Sequence, residues 1–253
     1  MAYSGWVRVH DLNCASYRPT KSVSRYFQSA LLPLVYGAKG VEWFTYETYR
    51  TNHLDAECLF SAEASKLGGT PSTDIDVYNN ITQVNKALRN MGPILMGLNW
   101  LRAFHSTSIN NEPQYMWNAD QTACPNTTYE DGLPTFSKIS GSPLDAFIPV
   151  DQENVWVTGE FESHDGGRYF LVMNKDRDVA HQASLTFTPG YSYQLFDYHT
   201  GKWGARNFDK HGSSVTSTFT VLPTQLQIVR VTSDSKPSLN YPSNPKGRVI
   251  LSL

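Results

Sequence analysis

The chain has 253 residues, 40% of them hydrophobic and 17% charged, and a formal net charge of −2. That balance excludes the basic footprint of a nucleic-acid binder and the polybasic surface of a protein held on anionic lipid. What is left is a globular chain rich in rings, six Trp and fourteen Tyr among them. Such a composition suits β cores and sugar-binding clefts.

Apolar runs such as Ala30 to Tyr36 fall well short of the roughly 20 residues a bilayer span needs, so no membrane segment is expected. Met1 to Arg8 has no apolar core of the secretory kind, and the compartment stays open. The cysteines, Cys14, Cys58 and Cys124, are too few and too scattered for a disulfide framework or a zinc site; a single bridge between two of them stays open. The seven histidines lack ligand spacing, and no Walker, dinucleotide-glycine or Gly-x-Ser-x-Gly motif occurs. Neither a metal nor a cofactor is expected.

In chain order, Trp6 to His10 reads as a strand. After a polar loop, Thr20 or Ser22 can cap a helix whose apolar face is Val23, Tyr26, Phe27, Ala30, Leu31 and Leu34. Pro33 lies inside that pattern, and Gly37 and Gly40 stop it. Val41 to Tyr46 is β-branched and aromatic, a second strand. Strand, helix, strand over this length is a βαβ unit, which implies parallel neighbours. Residues 47–74 form a polar connection with a short helix at Ala62 to Leu67. A second helix is expected from Asp76 to Leu98, with Asp74 and Asp76 at its cap and Gly92-Pro93 interrupting it.

Beyond it the period changes from 3.6 to 2. Strands are expected at Trp100–His105, Asp145–Val150, Val155–Glu162, Arg168–Lys175, Gln182–Phe187, Tyr191–Tyr198, Val215–Val221 and Gln225–Val231. Asp165-Gly166-Gly167, Pro189-Gly190 and Thr200-Gly201-Lys202 mark turns between them. Short strands at this rhythm predict an antiparallel sandwich. Trp156 alternates with Val157 and so faces away from it, while Tyr191, Tyr193, Tyr198 and Trp203 are expected as one exposed aromatic patch.

The run from Tyr36 to Tyr46 (Tyr-Gly-Ala-Lys-Gly-Val-Glu-Trp-Phe-Thr-Tyr) resembles the last βα step of β-galactosidase-like glycoside hydrolases, clan A enzymes with a (β/α)8 barrel. Ile81 to Leu98 looks like the closing helix of such a barrel. Phe170 to Asp176 and Leu195 to Lys202 resemble strands of the appended β-sandwich. The resemblance implies an α+β fold. Residues 1–99 would be a partial (β/α) barrel segment holding the last two βα steps, residues 100–232 an antiparallel β-sandwich, and 233–253 a disordered tail.

It also implies carbohydrate as the partner, with a retaining glycosidase's carboxylate pair incomplete. Glu47, directly after the last barrel strand, and Asp11 with His10, after the preceding one, are the catalytic candidates. Trp43, Tyr46 and Trp203 are the candidate sugar contacts. Two isolated parallel strands would expose their edges, which predicts either self-association or barrel strands supplied from elsewhere. A non-catalytic carbohydrate-binding or structural sandwich is the alternative reading.

Overall fold

The computed structural model describes residues 4–8, 10–13, 16–19, 23–44, 72–105, 136, 138, 140–152, 155–208 and 213–233. The tail from residue 234, the short helix at 62–67 and all three cysteines lie outside these.

The apolar stripe that opens at Val23 builds helix α1, Val23–Val35. Its end is a Schellman motif, with the Ala38 N–H donating to Pro33 O at 3.0 Å and the Gly37 N–H to Leu34 O at 3.0 Å. Gly37 sits at φ 90°, a conformation that costs glycine nothing. Ahead of α1 lie β1 (Ser4–Arg8), β2 (His10–Asn13) and β3 (Ser16–Pro19); behind it lies β4 (Gly40–Phe44). β1 and β4 pair in parallel with Trp6 opposite Glu42, so the βαβ step is present. β2 and β3 form an antiparallel hairpin with no precedent in the periodicity, because Asp11 to Ser16 shows no alternation.

Helix α2 runs Ser72–Leu95, so Asp74 and Asp76 lie within its first turns rather than ahead of them. Gly92-Pro93 does not interrupt it. Pro93 forfeits one backbone bond in the last turn, while the buried face of Ile81, Val84, Met91 and Leu95 holds the helix together. Strand β5 (Leu98–His105) follows at once.

Seven of the nine remaining strands fall where the period-2 pattern places them: β6 (Leu144–Pro149), β7 (Trp156–Ser163), β8 (Arg168–Asn174), β9 (His181–Phe187), β10 (Tyr191–Asp197), β13 (Val215–Val221) and β14 (Leu226–Ser233); the two-residue strands β11 (Lys202–Trp203) and β12 (Asn207–Phe208) were unsignalled. A seven-stranded antiparallel sheet has the order β11-β10-β14-β8-β7-β5, with β12 also on β10. A three-stranded sheet, β13-β9-β6, packs on one face of it. Between the two lie Phe104, Leu144, Phe147, Trp156, Phe170, Phe187, Val229 and Val231. Trp156 points into this core and Val157 into the other, as their alternation requires.

The expected partial barrel is not what the chain builds. Among the described residues there is a single parallel pair, and α2 leads into an antiparallel edge strand instead of returning to a parallel one. Both helices lay their apolar stripes on the outer face of the seven-stranded sheet. Tyr26, Leu31, Leu34, Val84 and Met91 share one core with Val157, Phe161, Leu171, Met173 and Ile228. The fold is therefore mostly antiparallel β, sandwich-like, with two helices as a third layer. The physical reason for the error is that helical periodicity shows that a face is buried, not what buries it.

The approach of α1 to the sheet is close. Its last carbonyl, Val35 O, lies over Gly159 of β7, where an added Cβ would be 2.2 Å away. The same oxygen accepts from the Trp100 indole N–H of β5 at 3.2 Å. Lys39 reaches back to cap α2, donating to Leu95 O at 2.7 Å and also to Leu98 O. At the other end of the layer, Thr224 Oγ1 donates to Ser24 O at 2.6 Å.

Candidate functional site

Along β10 and β14 the side chains alternate between two cores. Phe196 and Ile228 face the helices, and Leu195, Val229 and Val231 face the three-stranded sheet. Gln194, Ser192, Arg230 and Thr232 therefore stand on the helix side, with Gln194 opposite Arg230 and Ser192 opposite Thr232. Helix α2 crosses this face from the β10–β11 turn, where Asn90 Nδ2 donates to Tyr198 O at 2.6 Å, to β5, where Leu95 and Leu98 meet Phe161 and Tyr169. One corner of the face beyond α2 is left polar and partly open.

Trp203 on β11 is the centre of that corner. Its ring leans on Phe196, centroids 4.9 Å apart, and meets the buried Tyr169 edge-on at 6.1 Å. The Arg230 guanidinium lies over it, 4.8 Å from the centroid. Arg230 Nη2 donates to Gln194 Oε1, and Gln194 Nε2 donates to Gly204 O at 3.0 Å. Beside this chain Arg206 Nε donates to Ser192 Oγ at 2.6 Å, and the Ser192 and Thr232 hydroxyls are hydrogen-bonded to each other at 3.1 Å. At the rim, burial pulls the Asp165 carboxyl upward, but the Ser163 hydroxyl, the Gly167 N–H and the Arg230 charge outweigh it and hold it below the ordinary carboxylate range.

Several acids among the described residues are engaged by protein donors. Glu160, 1% exposed, pairs with Arg102 at 2.7 Å and lies 3.9 Å from Arg168, which also reaches Glu162 at 3.4 Å. Asp145 pairs with Lys138. Asp197 accepts from Thr200 Oγ1 at 2.7 Å and from the His199 N–H at 2.9 Å.

The buried ring of His181 bridges two loops, with Nε2 3.1 Å from Asp176 Oδ2 and Nδ1 3.4 Å from Asp151 Oδ2. Burial raises both carboxyls. For Asp151 the Gln182 N–H and His181, and for Asp176 the Asp178 and Val179 N–H groups and His181, win and leave each below its ordinary value of 3.8. A depressed folded value gives stability that is complete above the unfolded value and is lost as pH falls through the folded one. Urea midpoints should therefore fall as pH drops below about 4, and Asp176→Asn should flatten that limb. An unchanged slope in the variant contradicts the bridge.

Glu47 and Tyr46 lie outside the described residues. His10 and Asp11 are on the β2–β3 hairpin, opposite Pro19 and Arg18. Trp43 is on β4, opposite Val7. Trp203 stands on the far edge of the large sheet from β5. The four rings expected as one patch do not form one. Tyr191 and Tyr193 pack toward the three-stranded sheet, and Tyr198 is buried with its hydroxyl donating to Gln225 Oε1, burial raising its pKa. The periodicity did not single out Arg230, Arg206 and Gln194. The signal for Arg230 was available: an arginine between Val229 and Val231 in an apolar strand must stand on the opposite face.

No protein-family model matches the chain, and no curated protein matches it. A solved structure is similar over part of its length. It is a putative alpha-N-acetylgalactosaminidase from Bacillus halodurans C-125, 16% identical, aligned over 36% of this chain and 21% of that one, with a TM-score of 0.24. A likeness of that size carries no argument about fold or chemistry, and the function is argued from the residues.

Proposed function

We propose that the chain is a carbohydrate-binding module of glycoside-hydrolase type that holds its ligand without cleaving it. The observation that carries this reading is the Trp203 corner. An indole fixed by two aromatic neighbours lies under the Arg230 guanidinium, which bonds Gln194, while Arg206 stands farther along β10 on Ser192. Saccharides are recognised by this combination of an aromatic surface for C–H groups and convergent polar groups for hydroxyls. The resemblance of Tyr36–Tyr46 and of the sandwich strands to β-galactosidase-like enzymes supports the same ligand class. The engagement of Glu160, Asp145, Asp151, Asp165, Asp176 and Asp197 by protein donors supports a non-catalytic role, since a retaining glycosidase needs two available carboxylates about 5 Å apart.

The chain is expected to retard in affinity electrophoresis through a galactan or mixed plant-polysaccharide gel, and to release no chromophore from aryl glycosides. Turnover by the pure protein, abolished by Glu47→Gln, would replace this reading with a hydrolase. Normal mobility in every glycan gel would remove it.

A further inference from the structure

Resting on that reading, we propose that the Trp203 corner selects acidic saccharides, whose carboxylate or sulfate group is taken by Arg230 and Arg206.

Two guanidinium groups stand on one small area of sheet, Arg230 over the Trp203 ring and Arg206 on Ser192. The acid beside them, Asp165, is already occupied by the Ser163 hydroxyl and the Gly167 N–H at 3.2 Å. A neutral sugar needs no such pair; hydroxyls are served as well by amides and alcohols. Guanidinium groups present planar, paired N–H donors that match the two oxygens of a carboxylate or the edge of a sulfate.

Placement gives the second argument. Arg230 is fixed by stacking on Trp203 and by Gln194, so little side-chain freedom is lost on binding. A sugar ring at the Trp203 edge would carry its acidic substituent to the guanidinium groups. Carboxylate and sulfate share this chemistry; which of them the corner prefers is read from the two acidic probes below.

The test is calorimetric titration of the full chain with three probes: polygalacturonate oligomers, a sulfated galactan and a neutral galactan. Binding to at least one acidic probe is expected, about tenfold or more tighter than to the neutral one and weakened severalfold between 50 and 300 mM NaCl. Arg230→Gln should lose about tenfold more affinity for that acidic probe than for the neutral one. Arg206→Gln is the second variant, read in the same way should Arg230→Gln not fold. Equal affinity for neutral and acidic probes, or full acidic binding in both variants, overturns the charge assignment while leaving the carbohydrate-binding reading intact. Binding of inorganic sulfate alone as tightly as the glycan also overturns it. Failure of all three glycans removes the reading beneath it as well.

Discussion

Replacing Gly159 with alanine is expected to lower the melting temperature of the chain by roughly 6–12 °C. The added Cβ would lie 2.2 Å from Val35 O, 3.1 Å from Val35 C and 2.8 Å from Phe161 Cε2. Two of those three atoms are backbone, and a backbone carbonyl cannot rotate aside as a side chain does. The end of α1 must lift, which strains the Val35 O bond from the Trp100 indole and loosens the shared core of α1, β7 and β8. Forced overpacking of this kind costs about 3 kcal/mol, and about 1 kcal/mol moves the midpoint 2–4 °C in a chain this size. A control separates this from a general intolerance of substitution: Gly40, with nothing within 4 Å of its added Cβ, should accept alanine with a change under about 0.5 kcal/mol. Differential scanning calorimetry of both variants checks the pair, and an unshifted Gly159→Ala midpoint would mean that α1 does not sit on β7.

The second large effect concerns Glu160. Its carboxylate is 1% exposed and is held against Arg102 at 2.7 Å, with Arg168 3.9 Å away. Glu160→Ala removes the carboxylate from beside the Arg102 guanidinium, itself largely buried. Breaking such a pair costs about 3 kcal/mol, because the surviving ion stays desolvated. The pair itself contributes much less than that figure, since both ions lost their water on folding. The double variant Glu160→Leu with Arg102→Leu should therefore recover most of the loss, to within about 1.5 kcal/mol of the parent. Urea unfolding of Glu160→Leu, Arg102→Leu and the double gives the coupling directly. A double variant as unstable as the sum of the singles would show that the two residues act separately.

How the fold was legible follows from which rules are local. Strand alternation is a property of neighbours in sequence, so Trp156 against Val157 could be read directly, and each sits on its expected side. The turn glycines are local as well, as Gly166, Gly190 and Gly201 all adopt positive φ. What could not be read was pairing at a distance. The stripe of α1 is as compatible with a parallel barrel wall as with the outer face of a sandwich, and only the approach of Val35 to Gly159 separates them. The candidate residues Glu47, Asp11 and His10 follow strands of a barrel that the described residues do not form, and Glu47 lies outside those residues. Trp203 was noted as a ring in sequence, but its partners Phe196, Tyr169 and Arg230 come from three other strands and converge only in the sheet.

Titration of the full chain with glycans, wild type beside Trp203→Ala and Trp100→Ala, tests the central claim most directly. Trp100 is the right control, because its ring is 44% exposed but lies on the opposite edge of the sheet, anchored to Val35. Saturable binding in the wild type, lost on Trp203→Ala and retained on Trp100→Ala, is the predicted result. Binding that survives Trp203→Ala, or that disappears with Trp100→Ala alone, would contradict a sugar site at the Trp203 corner.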